Sequence, residues 1–184
     1  MWETGIEKFP NIYINIKTLI KGKYYHNYFP PNKTMEYDNI VVYGHPGSKF
    51  QHIQNLINEN ISIKIKEIKL YNYKNPSIES NVLYIYVDRK FRNVILTLYN
   101  MRHEFDISDD ISFEEFYTTR YSKMRATGFF KDVNMSPRTF WEEFSNTWIK
   151  LCKEYNNIMI CFYDKIVNNK EREIEKIKEK LYGR

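Results

Sequence analysis

The residues with the clearest chemical purpose lie in the stretch Asn39-Ile-Val-Val-Tyr43-Gly44-His45-Pro46-Gly47-Ser48-Lys49-Phe50. An apolar run short enough for a buried strand breaks into Gly-His-Pro-Gly-Ser-Lys, and helical spacing follows at Phe50, Ile53, Leu56 and Ile57. Strand, glycine turn and helix together aim backbone N–H groups and a helix N-terminus at a phosphate. The turn is not a Walker A loop, because Gly47 and Lys49 are not adjacent and only two residues separate Gly44 from Gly47. A second cationic group, Arg89, follows the β-prone run Val82-Leu-Tyr-Ile-Tyr-Val87 and Asp88. Plainer roles compete with each of these: an unliganded strand–helix turn, an Arg89 paired with Asp88 or a helix C-terminus, and a His45 that is a surface loop residue. His26, His52 and His103 have no partners at metal-ligand spacing and read as structural or exposed, so no metal site is expected.

The elements that must position these groups alternate between strand and helix. Residues 1–38 read as an irregular, aromatic-rich lead-in with one short helix near Ile12–Ile20, and Pro30-Pro31 forces extended backbone. The first strand is Ile40–Tyr43, and the helix after the turn runs to about Asn58. Ile61–Leu70 alternates as one strand or two short ones, and Tyr71–Ser80 is a loop. Val82–Val87 is uninterrupted, as burial on both faces of a parallel sheet requires. Helical spacing returns over Asn93–His103, and Ser112 opens another helix with a capping box. Residues 121–136 read as a basic loop with Arg120, Lys123, Arg125 and Lys131 in or beside it. Pro137 then starts a helix carrying a Phe140, Trp141, Phe144, Trp148 and Leu151 stripe, which reads as core. Ile158–Phe162 is the last strand and Lys170–Leu181 a charged amphipathic helix. The expectation is one α/β domain over residues 1–184 with a mainly parallel sheet. Right-handed crossovers would bring the 44–49 turn and Arg89 to one edge of that sheet, as an anion site.

Composition narrows the class. The 184 residues include 28 Lys+Arg against 23 Asp+Glu, a formal net charge of +5, which favours an anionic ligand or a solvated mixed-charge surface. With 16 Tyr, 12 Phe and 3 Trp, a packed core is expected rather than disorder. The two cysteines, Cys152 and Cys161, sit in hydrophobic patterns, which excludes a disulfide scaffold and implies a reducing compartment. No apolar run reaches the roughly 20 residues of a membrane span, and no secretory signal is visible at Met1-Trp2-Glu3-Thr4, so a cytoplasmic, intracellular protein is expected. Enrichment in Lys, Asn, Ile and Tyr suggests an AT-rich coding genome such as that of a virus or a parasite.

From about residue 30 to its end, the chain resembles the sulfotransferases that use 3′-phosphoadenosine 5′-phosphosulfate. Their first strand leads into Tyr-Pro-Lys-Ser-Gly-Thr-Thr-Trp, with which Tyr43-Gly44-His45-Pro46-Gly47-Ser48-Lys49-Phe50 falls in register. Their second signature is an Arg closing a strand and a Ser eight residues later, matched here by Arg89 and Thr97. Phe113-Glu114-Glu115-Phe116, the Trp141–Trp148 helix, Ile158-Met-Ile-Cys-Phe-Tyr163-Asp164 and Lys170–Ile177 are similar, in order, to the family's later segments.

The resemblance implies a P-loop-like three-layer fold and a nucleotide site without a metal. Gly44, His45, Gly47, Ser48 and Lys49 would take the 5′-phosphosulfate, and Arg89 with Thr97 the 3′-phosphate. Phe50 and Tyr163 would border the adenine. A sulfuryl group would pass to an unknown hydroxyl or amine acceptor, and the family places acceptor-site loops near Lys123, Arg125 and Lys131. His45 stands where the family has its catalytic lysine, which bridges to the leaving oxygen, and is the one catalytic candidate. Near Lys69 the family has a histidine base, and here Lys69-Leu-Tyr-Asn72 holds none. A tyrosine of ordinary pKa is a poor base at neutral pH. The family's carboxy-terminal Arg-Lys-Gly phosphate motif is absent as well. These departures support an alternative, a catalytically inactive relative that binds a host protein or nucleic acid.

Overall fold

The structure, a computed structural model, describes residues 37–65 and 76–183. The expectations for residues 1–36, including the helix near Ile12–Ile20 and Pro30-Pro31, lie outside the described residues, as does Lys69-Leu-Tyr-Asn72.

Three strands of β-branched and aromatic residues make the sheet: β1 (Asn39–Gly44), β3 (Val82–Asp88) and β4 (Ile158–Phe162). A two-residue β2 (Lys64–Ile65) adds an edge, and the order is β2-β1-β3-β4 with every pair parallel. Around the sheet lie α1 (Phe50–Asn60), α2 (Phe91–Asn100), α3 (Phe113–Thr118), α4 (Pro137–Glu154), α5 (Tyr163–Asn168) and α6 (Lys170–Tyr182). The fold is α/β, with a parallel sheet flanked by helices.

Strand alternation sends two kinds of side chain to the two faces. Ile40, Val42, Leu83, Ile85 and Val87 share an aliphatic cluster with Ile53, Leu56 and Ile57 of α1, Ile166 of α5, and Ile174, Ile177 and Leu181 of α6. The other face is aromatic. Tyr43 stacks on Phe144 at 5.3 Å, and Tyr86 stacks on Trp148 at 5.8 Å, both partners lying on α4. Burial on both faces explains why Val82–Val87 shows no polar alternation.

Connections to the two sides of β1 make a topological switch. From β1 the chain passes through α1 to β2 on one flank, and from β3 through α2 to α4 it reaches β4 on the other. The connections leaving the carboxyl ends of β1 and β3, which are paired as far as Gly44 and Val87, therefore run to opposite sides, the place where ligands bind in open parallel sheets.

Several expectations are refined. The first helix extends to Asn60, and the helix after Arg89 begins at Phe91 and ends at Asn100, followed by a 3-10 turn at Arg102–Phe105. Of the alternating Ile61–Leu70 stretch only Lys64–Ile65 is strand within the described part, because Ile61 is still the C-cap of α1. The 121–136 segment is not merely a solvated loop. Tyr121 and Phe130 are buried and stacked at 4.1 Å, while Lys123, Arg125 and Lys131 remain exposed. The last strand closes at Phe162, where the sequence reading ends it, and Tyr163 starts the short helix α5. The Ser112 and Ser136 hydroxyls cap α3 and α4, accepting from Glu115 N–H and Thr139 N–H, and Pro137 takes the first turn, where its missing N–H costs nothing.

Candidate anion site at the carboxyl ends of the strands

Gly44 and Gly47 shape the turn for different reasons. A β-carbon on Gly44 would sit 2.3 Å from Ser48 Oγ and 3.2 Å from the Val87 carbonyl, so the turn folds directly over bare backbone. Gly47 has φ +85°, and a β-carbon there would lie 2.9 Å from the Val94 carbonyl of α2. Only glycine allows both that conformation and that approach. Ser48 N–H closes the turn on the His45 carbonyl at 2.8 Å. Lys49 then caps α1 in the left-handed region, φ 63°, an arrangement that costs a non-glycine residue on the order of 1 kcal/mol.

The N-terminus of α1 has no side-chain cap, and its first turn has no acidic residue. Lys49 stands at its N-cap instead, the wrong sign for the positive end of a helix dipole unless an anion joins it. Ser48 is 1 % exposed and its hydroxyl has no hydrogen-bond partner.

Arg89 ties the turn to the next strand. Its Nη1 donates to the Gly47 carbonyl and to Thr97 Oγ1, each at 2.9 Å, and the Thr97 hydroxyl donates in turn to the Asn93 carbonyl at 2.8 Å. The guanidinium lies 5.1 Å from the ring centre of Tyr163, in cation–π range. Arg89 is thus not paired with Asp88. Its Nε–H is buried without a partner. Tyr163 and Phe50 border the aliphatic cluster from α5 and α1, both half-buried. Gly44, Gly47, Ser48, Lys49, Phe50, Arg89, Thr97 and Tyr163 therefore share one edge of the sheet, Arg89 linking three of them.

His45 is the exception. It is 1 % exposed rather than a surface loop residue, and its ring packs on Phe140 at 4.8 Å and edge-on to Phe144 at 5.5 Å. Nδ1 donates to the Pro46 carbonyl, which leaves Nε2 unprotonated, buried and without a partner. Burial lowers its pKa to about 3, only partly opposed by the bond to Pro46. At neutral pH the imidazole is an uncharged part of the aromatic layer, not a cation standing in for the family's lysine. Tyr43, two residues earlier on the same face, aligns it with that layer.

Three of the six buried side-chain polar atoms without partners among the described residues belong to His45, Ser48 and Arg89. Such groups are rare in folded proteins, and two of the three, Ser48 Oγ and Arg89 Nε, lie at this edge of the sheet, whereas His45 Nε2 lies in the aromatic layer. No protein-family model and no curated protein matches this chain.

Two features at this edge had no sequence signal. His52 Nδ1 lies 3.0 Å from the Tyr163 hydroxyl, the rings 5.7 Å apart, although 111 positions separate the two residues. Asp88, closing β3, has its pKa raised to about 7 by burial, with Asp164 adding to the rise and the Arg89 N–H opposing it. Lys90 holds Asp164 at 3.3 Å. Elsewhere, Lys123 and Arg125 line an open cleft of about 340 Å³ with Asp110, Glu115, Ile107 and Ile111. Burial pushes both free cysteines up to about 12, so neither is a thiolate nucleophile at neutral pH. Among the described residues no helix is long and apolar enough to cross a membrane, and no group of three or more His, Cys, Asp or Glu could hold a metal ion.

Proposed function

We propose that this domain binds 3′-phosphoadenosine 5′-phosphosulfate, or its desulfated product 3′,5′-phosphoadenosine, across the ends of β1 and β3. The Gly44–Lys49 turn and the uncapped α1 N-terminus receive the 5′-group, and Arg89 with Thr97 the 3′-phosphate. Phe50 and Tyr163 border the base. The observation that carries this reading is the Arg89 Nη1 fork to the Gly47 carbonyl and Thr97, which joins turn, strand end and helix at the switch point. A guanidinium held this way keeps further donors for a phosphate dianion, with a planar geometry a lysine lacks.

Transfer of the sulfuryl group to a hydroxyl or amine has weaker support than binding. It needs the bridging oxygen stabilised as it leaves, and a neutral His45 bonded to Pro46 supplies no charge there. The same observation favours the second reading, an inactive relative that uses its surface to bind a protein or nucleic acid. Calorimetric titration with 3′,5′-phosphoadenosine tests the first reading: binding is expected, weakened by Arg89→Ala, and no heat at millimolar ligand refutes it. Labelled-sulfate transfer to a panel of acceptors separates enzyme from binder. Steep salt dependence of RNA or DNA binding would mark a nucleic-acid partner.

A further inference from the structure

His52 is exposed on the first turn of α1, yet its Nδ1 meets the Tyr163 hydroxyl at 3.0 Å. The Tyr163 ring in turn faces the Arg89 guanidinium at 5.1 Å. A line of contacts therefore runs from α1 through α5 to the end of β3 and back to the turn at Gly47. The two ring nitrogens of His52 have separate fates: Nδ1 is engaged by Tyr163, and among the described residues no bond engages Nε2.

Electrostatics give this arrangement a direction. A cationic imidazole in the first turn of a helix is opposed by the helix dipole, and Lys49, the N-cap of that turn, adds to the repulsion. An anion at the same N-terminus reverses both effects. The buried, unpartnered Ser48 hydroxyl in that turn is an independent sign of an absent partner. The charged and titratable groups around the imidazole are Tyr163 on α5, Arg89 beyond its ring, and Lys49 on its own turn. Asp164 follows Tyr163 and is held by Lys90.

We infer that His52 is a ligand contact and positioning residue of this site, holding Tyr163 against Arg89 through Nδ1 and offering Nε2–H to a phosphate or sulfate group of the nucleotide. The inference rests on the nucleotide-binding reading above. An anion at Nε2 is complemented better by a protonated ring than by a neutral one, so the His52 contribution to affinity is expected to be larger at pH 6.0 than at pH 8.5.

The test is calorimetric titration of 3′,5′-phosphoadenosine at pH 6.0 and pH 8.5 with wild type, His52→Gln and Tyr163→Phe. Wild type should bind roughly tenfold more tightly than His52→Gln at pH 6.0, the size of one charge-assisted hydrogen bond, with the gap closing at pH 8.5. Tyr163→Phe should bind more weakly than wild type at both pH values, because the tether is lost while the ring remains. Equal affinities of wild type and His52→Gln at both pH values overturn this inference and leave nucleotide binding standing. Absence of wild-type binding overturns both.

Discussion

Replacing Ser48 by Ala should make the free protein no less stable while weakening its hold on an anion. The hydroxyl is 1 % exposed and has no hydrogen-bond partner. Leaving a buried polar group unsatisfied costs about 1–3 kcal/mol, which the alanine removes. Lost packing around one oxygen offsets roughly 1 kcal/mol of this, because only a handful of contacts disappear. The net expectation is a gain of about 0–2 kcal/mol, and each kcal/mol raises Tm by about 2–4 °C for a chain of this size. Affinity for 3′,5′-phosphoadenosine should fall by about 10- to 150-fold, the value of a hydrogen bond to a charged group. Denaturant unfolding and calorimetric titration on the same preparation read both effects. The Gly44→Ala variant supplies a check, since its β-carbon would lie 2.3 Å from Ser48 Oγ. In the Ser48→Ala background that clash is gone, so the double variant should be more stable than the two single changes sum to. A loss of more than about 1 kcal/mol in Ser48→Ala would mean that the hydroxyl already has a partner, and would refute the reasoning.

Gly47→Ala should destabilise by about 2–4 kcal/mol in urea unfolding, from left-handed strain plus a methyl pressed on the Val94 carbonyl. His45 binds protons more readily unfolded, at its ordinary 6.5, than folded, at about 3. Its contribution is therefore full above pH 6.5 and lost as pH falls toward 3, roughly 3 kcal/mol by pH 4, and His45→Leu should flatten that acid limb in pH-dependent thermal melts. Asp88 has the opposite slope: its carboxyl, raised from 3.8 to about 7, takes up a proton on folding between those values, so stability falls as pH rises from 4 to 7. Asp88→Asn should accordingly gain stability at pH 8 relative to wild type and show little gain at pH 4, and an equal effect at both pH values would assign its role to packing instead.

Much of the fold is legible locally. Ile158–Phe162 as a strand, Pro137 as a helix start and Ser112 as a cap depend on residues within a few positions of one another, so short-range preference and final structure agree. The Gly44–Lys49 turn reads the same way, because a strand followed by two glycines and a helical repeat has few other solutions. Less was visible where a residue's neighbours come from far along the chain. His45 looks like a loop residue until Phe140 and Phe144 close over it. The 121–136 segment looks solvated until Tyr121 meets Phe130 and both are buried.

The sequence by itself determined the parallel sheet, the glycine turn and the spacing of Arg89 from Thr97, eight residues that a helix brings to one hydrogen bond. Tertiary structure alone decided the ionisation of the site. It buried His45 as a neutral ring, raised the Asp88 carboxyl and set His52 against Tyr163. The physical reason is that backbone preference acts over a few residues, whereas desolvation and charge depend on every group the fold packs around an atom.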